Sequence, residues 1–270
     1  MKLSIFKPMI RFLRLHCLYL KISLKCLAVY RMSALLTVLF SIVFLIAEIL
    51  TVNVYYQFGD KLGDWDKNSF YILLGSFNII VCLYTYLFEI AHDEFVGKIR
   101  FGELDCDLIR PIDAQLFSSL QRVDYPSLLN LPIPIWIVYQ GVSGLNLVLG
   151  IWDLFLYAIT LGVGVFIVYL INQFSVNFSF WFTDASSLLS ASDQVVQLGS
   201  KPLQVYPKLV QLGFSYLIPV ILSTNLSVAA LQGNLTLDNL FILFLATFFF
   251  FLIIRLQWTL GLRKYSSASS

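Results

Sequence analysis

Long apolar stretches dominate this sequence and are separated by short polar segments. A helix that crosses the hydrocarbon of a bilayer needs about 20 apolar residues in a row. Stretches of about this length predict an all-α membrane protein with transmembrane helices at Ser33–Tyr56, Phe70–Ile90, Tyr125–Leu149, Trp152–Asn172 and Leu240–Trp258.

The part of the chain before the last predicted helix has a less regular pattern. Residues 174–196 are aromatic, then serine-rich, and contain two aspartates, whereas 209–237 are uncharged but interrupted by Gly213, Pro219 and Gly233. Two arrangements fit, and each gives six transmembrane helices. In one, 174–196 is a polar fifth span and 207–232 is re-entrant. In the other, 174–208 stays on the inner side and 209–231 is the fifth span.

Composition excludes a soluble protein. The chain is 59% hydrophobic and only 13% charged, with a mean hydropathy of +0.81, whereas soluble domains have about 25% charged residues. Of the 18 Lys and Arg residues, all but Lys61, Lys67, Lys201 and Lys208 lie before the first span, in residues 92–122, or near the C-terminus. Because basic residues concentrate on the cytoplasmic side, this bias predicts that both termini and residues 92–122 are cytoplasmic.

The first 32 residues are basic and contain no compact apolar core followed by a cleavage site, so they do not predict a cleavable signal. Lys7, Arg11 and Arg14 recur at helical spacing. Such spacing favours a helix that lies along an anionic membrane surface, and an ordinary basic leader is the alternative. The four cysteines, Cys17, Cys26, Cys82 and Cys106, lack the spacing of a zinc or redox site.

Residues 92–122 form the longest charged stretch of the chain. Within it Leu104, Leu108 and Ile112 recur every four residues, while Glu103 and Asp105 fall between them. A short helix with one apolar stripe can lie at the membrane face and contact a partner protein. The same residues also fit a solvated loop without a partner.

Several short motifs resemble those of type-2 ABC transporter permeases. They are Gly-Glu-Leu-Asp at 102–105 and Leu-Ile-Arg-Pro at 108–111 between the second and third spans, Val-Tyr-Arg at 29–31, Phe-Trp at 180–181, Tyr-Pro at 206–207, Ile-Pro at 218–219, and the terminal run from Trp258 to Ser269. They occur in order along nearly the whole chain. The resemblance implies a permease domain at 33–270 in a bacterial cytoplasmic membrane, with 207–232 as a re-entrant element.

The resemblance also implies partners. Two permease subunits, identical or related, each dock on a cytoplasmic ABC ATPase through a coupling helix, here within 92–122. The residues that take this role are Gly102, Glu103, Leu104, Asp105, Asp107, Leu108, Arg110 and Pro111. The chain contains no Gly-x4-Gly-Lys-Ser/Thr phosphate loop, so we expect ATP to be bound by the partner and this subunit to carry no cofactor and no catalytic residue.

Polar groups inside the predicted spans are candidates for a translocation path, because charge in a bilayer is costly and usually faces a cavity or a partner. The polar candidates are Glu48, Asn53 and Asp184. Phe178 and Tyr206, aromatic residues that would suit an amphiphilic cargo, and Pro219, at a turn of the re-entrant element, are further candidates. The leading interpretation is the permease subunit of an ATP-driven exporter. An ion-gradient-driven secondary transporter and a non-transporting membrane scaffold are the alternatives; no internal repeat of the kind typical of secondary transporters is evident.

Overall fold

The computed structural model describes residues 31–57, 65–111, 113–182, 185–213 and 218–265. The predicted basic segment 1–32 therefore lies almost entirely outside the described residues. All regular elements of the described ranges are helical. We number the α-helices α1 Arg31–Gln57, α2 Lys67–Arg100, α3 Asp105–Leu108, α4 Ala114–Ser119, α5 Pro132–Gly144, α6 Ile151–Asn177, α7 Ser186–Gln197, α8 Lys208–Leu212, α9 Val220–Leu231 and α10 Leu237–Lys264.

Four of these helices are long and apolar enough to cross a membrane. The membrane-spanning stretches are Val38–Gln57, Lys67–Arg100, Ile151–Phe180 and Leu237–Lys264, and the third consists of α6 with the 3₁₀ turn Phe178–Phe180 that follows it. They correspond to four of the six predicted spans. The chain is thus a multi-pass membrane protein. Six complete spans are not resolved among the described residues, because the other two predicted spans contain shorter helices.

Helix α2 is longer than a bilayer requires. Its 34 residues extend for about 50 Å at 1.5 Å per residue, against about 30 Å of hydrocarbon. A π-helical turn at Thr85–Glu89 separates its apolar first part from a charged last part, Ile90–Arg100. The last part, which the sequence placed in the polar segment after the second span, therefore continues the same helix.

The third predicted span begins as a 3₁₀ turn, Tyr125–Asn130, and continues as α5. Prolines cannot donate the backbone hydrogen bonds of a helix, and here they occupy the first turns. Helix α5 packs antiparallel to α2, since Gly75 lies against Val138 while Gly141 lies against Asn68 and Ile72. Small residues at such contacts let helix backbones approach closely in membranes.

Helices α7 and α9 have 12 residues each, so each extends for only about 18 Å. The turn after α7 contacts the start of α9, because Gly199 lies beside Val220 and Phe77 inside the bundle. At the far end of α9, Gln232 hydrogen-bonds Ser69 at the start of α2. Two points stay predictions: that 174–196 crosses the membrane completely, and that 207–232 is re-entrant. Residues 214–217 are not described.

The largest apolar cluster joins α2, α6 and α9. Its fully buried side chains include Phe77, Ile80, Ile167, Leu170 and Ile221. By contrast, only 11% of the apolar window of α1 is buried within the chain. Helix α1 therefore packs against the bundle with a small part of its surface, and the rest is available to lipid or to another chain.

Candidate functional site

The predicted coupling segment begins where α2 ends. Gly102 has a φ of +74°, a left-handed conformation that favours glycine and commonly terminates helices. The backbone N–H groups of Glu103 and Leu104 both donate to the carbonyl of Lys98, at 2.9 and 3.3 Å. The chain therefore turns sharply here and begins the single helical turn α3.

Two residues of this segment anchor it to the bundle. Leu104 is fully buried against Phe95 and its neighbours. The buried carboxylate of Asp107 accepts from Lys98 Nζ at 3.2 Å and from Gln121 Nε2 at 2.8 Å, and Lys98 also donates to Gln121. A buried charge is tolerated when it is paired and hydrogen-bonded, so this triad fixes the turn to both flanking helices.

The other side of the turn is exposed. Phe101, Glu103, Leu108 and Pro111 are accessible, and Ile109 is 84% exposed. The Arg110 guanidinium lies 4.4 Å from the centre of the Phe117 ring, and Asp105 is half-buried near Tyr265.

This arrangement differs from the predicted stripe. Leu104 faces inward but Leu108 faces outward, because the α-helix is only four residues long, Asp105–Leu108. Ile112 is outside the described residues.

A buried polar network connects α2 to α6. The Tyr84 hydroxyl is 2.8 Å from His92 Nδ1, and His92 Nε2 is 3.2 Å from Gln173 Oε1. Gln173 in turn donates to Asn177 at 2.7 Å, and Asn177 donates to Gln257 of α10 at 3.1 Å. Three long helices are thus joined by hydrogen bonds that, in an apolar environment, are costly to break.

Helix α4 links this network to the charged segment. The Ser119 hydroxyl donates to Gln173 Oε1 at 3.2 Å and lies 3.1 Å from the Tyr169 hydroxyl. Four residues earlier, Gln115 accepts from Arg255 of α10 at 2.7 Å. Helix α4 is therefore hydrogen-bonded to both α6 and α10.

Arg255 also forms an ion pair with Asp113, the residue that caps α4 by accepting from the N–H of Leu116. Partial burial acts to raise the pKa of Asp113, but the hydrogen bonds from Arg255 and from the Leu116 N–H outweigh it and lower the pKa below its usual value. Asp113 therefore stays ionised and holds the start of α4 to α10.

The path candidates on α1 lie near a cavity. Glu48 accepts from Asn78 Nδ2 at 3.0 Å and lines a cavity of about 360 Å³ between α1, α2 and residues 200–205, where Lys201 also lies. Asn53 accepts from the Tyr71 hydroxyl at 3.0 Å. Both residues therefore join α1 to α2, and Glu48 also borders the cavity.

The remaining path candidates are dispersed. Phe178 lies in an aromatic cluster with Phe174, Trp181 and Phe182. The Tyr206 hydroxyl donates to the carbonyl of Leu198 at 2.8 Å, and Pro219 precedes α9. Asp184 lies outside the described residues. The described candidates are thus not brought together in one continuous site.

Sequence reasoning missed the residues that join the helices. No role is assigned from the sequence to the residues concerned: His92, Lys98, Gln121, Gln173 and Gln257. Amides inside apolar spans are a usable signal, since Gln173 and Asn177 lie four residues apart on one helix face. Their partners on other helices depend on packing that the sequence does not reveal.

No group of three or more His, Cys, Asp or Glu side chains in the described ranges could hold a metal ion.

A family model described as "ABC-2 family transporter protein" matches residues 42–269. No curated protein and no solved structure matches the chain significantly. The match covers most of the chain, including the predicted coupling segment, the later part of α1 and the other three long helices. The chain therefore belongs to the ABC-2 family of transporter membrane proteins.

Proposed function

We propose that this chain is the membrane-spanning permease subunit of an ATP-driven exporter, in which a separate cytoplasmic ABC ATPase docks on the exposed turn at 108–111. The family membership supports a permease. The observation that carries the docking proposal is the pairing of an exposed apolar tip, Ile109, with a buried anchor, Asp107. A tip that is rigidly attached can transmit force from a partner.

The route of that force follows the hydrogen bonds described above. A push on 108–111 moves Asp107 and therefore Lys98 of α2 and Gln121 after α4. From α4, Gln115 and Ser119 carry the displacement to Arg255 and Gln173. Coupling of this kind requires two arrangements of the helices whose populations ATP binding shifts.

The orientation of the chain follows from charge. Arg100, Arg110 and Arg122 lie at the same end of the bundle as Arg263 and Lys264, and basic residues favour the cytoplasmic side. This distribution supports a cytoplasmic location for the exposed turn, where an ATPase is available. We also propose that a second permease subunit, identical or related, completes the transport path in the cytoplasmic membrane, with α1 as the least covered helix.

The test is copurification of the tagged full-length chain from membranes of its source cell in mild detergent. We expect an ATPase with a phosphate-loop sequence, identified by mass spectrometry, to accompany the wild-type chain. Ile109→Asp introduces a charge into the docking surface and should reduce the recovered ATPase at least about tenfold, since leaving a buried charge unpaired costs several kcal/mol.

The matched control is Val148→Asp, which places the same charge on a 97% exposed side chain at the other end of the bundle. It should leave recovery of the ATPase unchanged. Equal recovery with both variants, or no ATPase with the wild-type chain, would contradict the proposal.

A further inference from the structure

A second cavity, distinct from the one at Glu48, lies between α1, α2 and the 3₁₀ turn that precedes α5. Its volume is about 310 Å³, and its polar lining includes Asn78, Thr85, Glu89, Ser127 and Asn130. Ser41 is also polar, and the remaining wall is apolar and is formed by Leu45, Val81, Cys82, Ile133 and Pro134. The cavity thus combines an apolar body with a polar patch.

The polar patch is rich in hydrogen-bond acceptors. The Oδ1 atom of Asn130 is buried and has no hydrogen-bond partner among the described residues. A buried acceptor without a donor is costly. Because Asn130 lines the cavity, rotation of its side chain would bring Oδ1 to a ligand that carries an N–H or O–H group. The Ser127 hydroxyl is already used, since it donates to the carbonyl of Asp124 at 2.7 Å.

The charge around the cavity is negative. Glu89 is the charged residue of its described lining, and Asp93, Asp124 and Asp193 all lie close enough to influence Glu89 electrostatically. The nearby Arg122 is engaged in an ion pair with Glu94. A cation entering the cavity would therefore meet a carboxylate and no competing positive side chain from the described wall.

The position of the cavity favours an amphiphile. Glu89 lies at the end of the π-helical turn, 22 residues after the start of α2 at Lys67, which is about 33 Å along the helix and close to the edge of a hydrocarbon layer about 30 Å thick. A charged headgroup placed there can remain near the interface while an apolar tail lies in the bilayer. The same wall includes Leu45 of the sparsely covered α1.

We propose that this cavity binds the protonated primary amine of an amphiphilic molecule, with Glu89 as the counter-ion and Asn130 Oδ1 as a hydrogen-bond acceptor. This proposal rests on the proposed function, because such an amphiphile would be the molecule that the permease exports. Binding at the cavity does not require an ATPase, so the test below is independent of whether the ATPase docks at 108–111.

The test uses the purified full-length chain in phosphatidylcholine nanodiscs, with binding to empty nanodiscs subtracted. The probe is radiolabelled octylamine, and octanol, octanoate and octyltrimethylammonium are the comparisons. We expect saturable binding of octylamine and none of octanol or octanoate. Octyltrimethylammonium, which keeps the charge but has no N–H donor, should bind about tenfold more weakly.

Glu89→Gln removes the charge while keeping the shape of the side chain, and should weaken octylamine binding at least about tenfold. Asn130→Asp adds a carboxylate and should strengthen octylamine binding. Misfolding cannot produce such a gain in binding. Asp238→Asn, an exposed carboxyl at the far end of the bundle, should leave it unchanged. Equal saturable binding of octanol, or undiminished octylamine binding in Glu89→Gln, would overturn the proposal.

Discussion

The Nζ atom of Lys98 lies 3.2 Å from Oδ2 of Asp107; the Asp107 side chain is buried and that of Lys98 is largely covered. The ion pair joins the end of α2 to the turn that we propose contacts the ATPase. It explains why Asp107, although predicted as a docking residue, faces the bundle rather than solvent. The exposed neighbours Leu108 and Ile109 then have a fixed position relative to the membrane helices.

Breaking this pair should destabilise the protein. Asp107→Leu leaves the Lys98 ammonium buried without its counter-ion, and removing one partner of a buried pair costs about 3–5 kcal/mol. We expect a lower thermal unfolding midpoint, measured in detergent by tryptophan fluorescence. The double variant Lys98→Met with Asp107→Leu should recover most of the loss, and exposed Glu103→Gln should have no effect. A single variant as stable as wild type would show that the pair does not anchor the turn.

Adding a methyl group between α2 and α5 should also destabilise the bundle. A Cβ atom at Gly141 would lie 2.7 Å from the Asn68 carbonyl oxygen, which is backbone and cannot move aside easily. Gly141→Ala should cost about 1–3 kcal/mol as overpacking, measured by the same unfolding assay. Gly162→Ala, also within a long helix but with no atom within 4 Å of the new Cβ, is the matched control. Equal midpoints for the two variants would refute the close contact.

Gln173→Leu removes the hub of the buried network. His92, Ser119 and Asn177 each lose a hydrogen-bond partner, and an unsatisfied buried polar group costs about 1–3 kcal/mol. We expect a lower unfolding midpoint and, in the complex with its ATPase, less transport per ATP hydrolysed. The exposed Gln194→Leu makes the same chemical change elsewhere and should alter neither quantity.

The ion pair of Asp113 and Arg255 should make stability depend on acidity. The folded-state pKa of Asp113 is lowered from its ordinary value of 3.8. The ion pair therefore stabilises the folded state above pH 3.8, and this stabilisation is lost as pH falls through the lower folded-state pKa. Because the pair is partly exposed, we expect only about 0.2–1 kcal/mol.

Unfolding midpoints measured from about pH 6 to about pH 3 should show wild type above Asp113→Asn at the upper end and the difference shrinking at the lower end. Asp238, which forms no ion pair with any described residue, provides the control Asp238→Asn. A difference that grows on acidification would reverse the sign that we infer for Asp113.

The orientation can be tested with the exposed thiol of Cys106. In a background with Cys17, Cys26 and Cys82 replaced by serine, a membrane-impermeant maleimide should label Cys106 in inverted vesicles but not in intact cells or right-side-out spheroplasts. Val148→Cys in a background without Cys106 should show the opposite pattern, because it lies at the other end of the bundle. Labelling of Cys106 from the outside would reverse the proposed orientation.

The amino-acid sequence alone determined that the chain spans a membrane. The apolar lengths at Ser33–Tyr56, Phe70–Ile90, Trp152–Asn172 and Leu240–Trp258 located the four long helices to within several residues at most ends, since backbone groups in lipid must be satisfied within a helix. The motifs at 102–111 also indicated the family. These properties depend on residues close together in the chain, so they can be read from it directly.

Tertiary structure decided which side each residue of 102–111 faces and how that segment is attached. Two partners of Gln173, His92 and Ser119, come from helices distant in sequence, and Asp107 is held between the end of α2 and the residue Gln121 after α4. A four-residue helix does not maintain the stripe of Leu104 and Leu108 that their spacing predicted. The cavity beside Glu89 likewise exists only where α1, α2 and the turn before α5 meet. Helix packing in a membrane depends on the fit of small and polar side chains between helices, which local pattern does not encode.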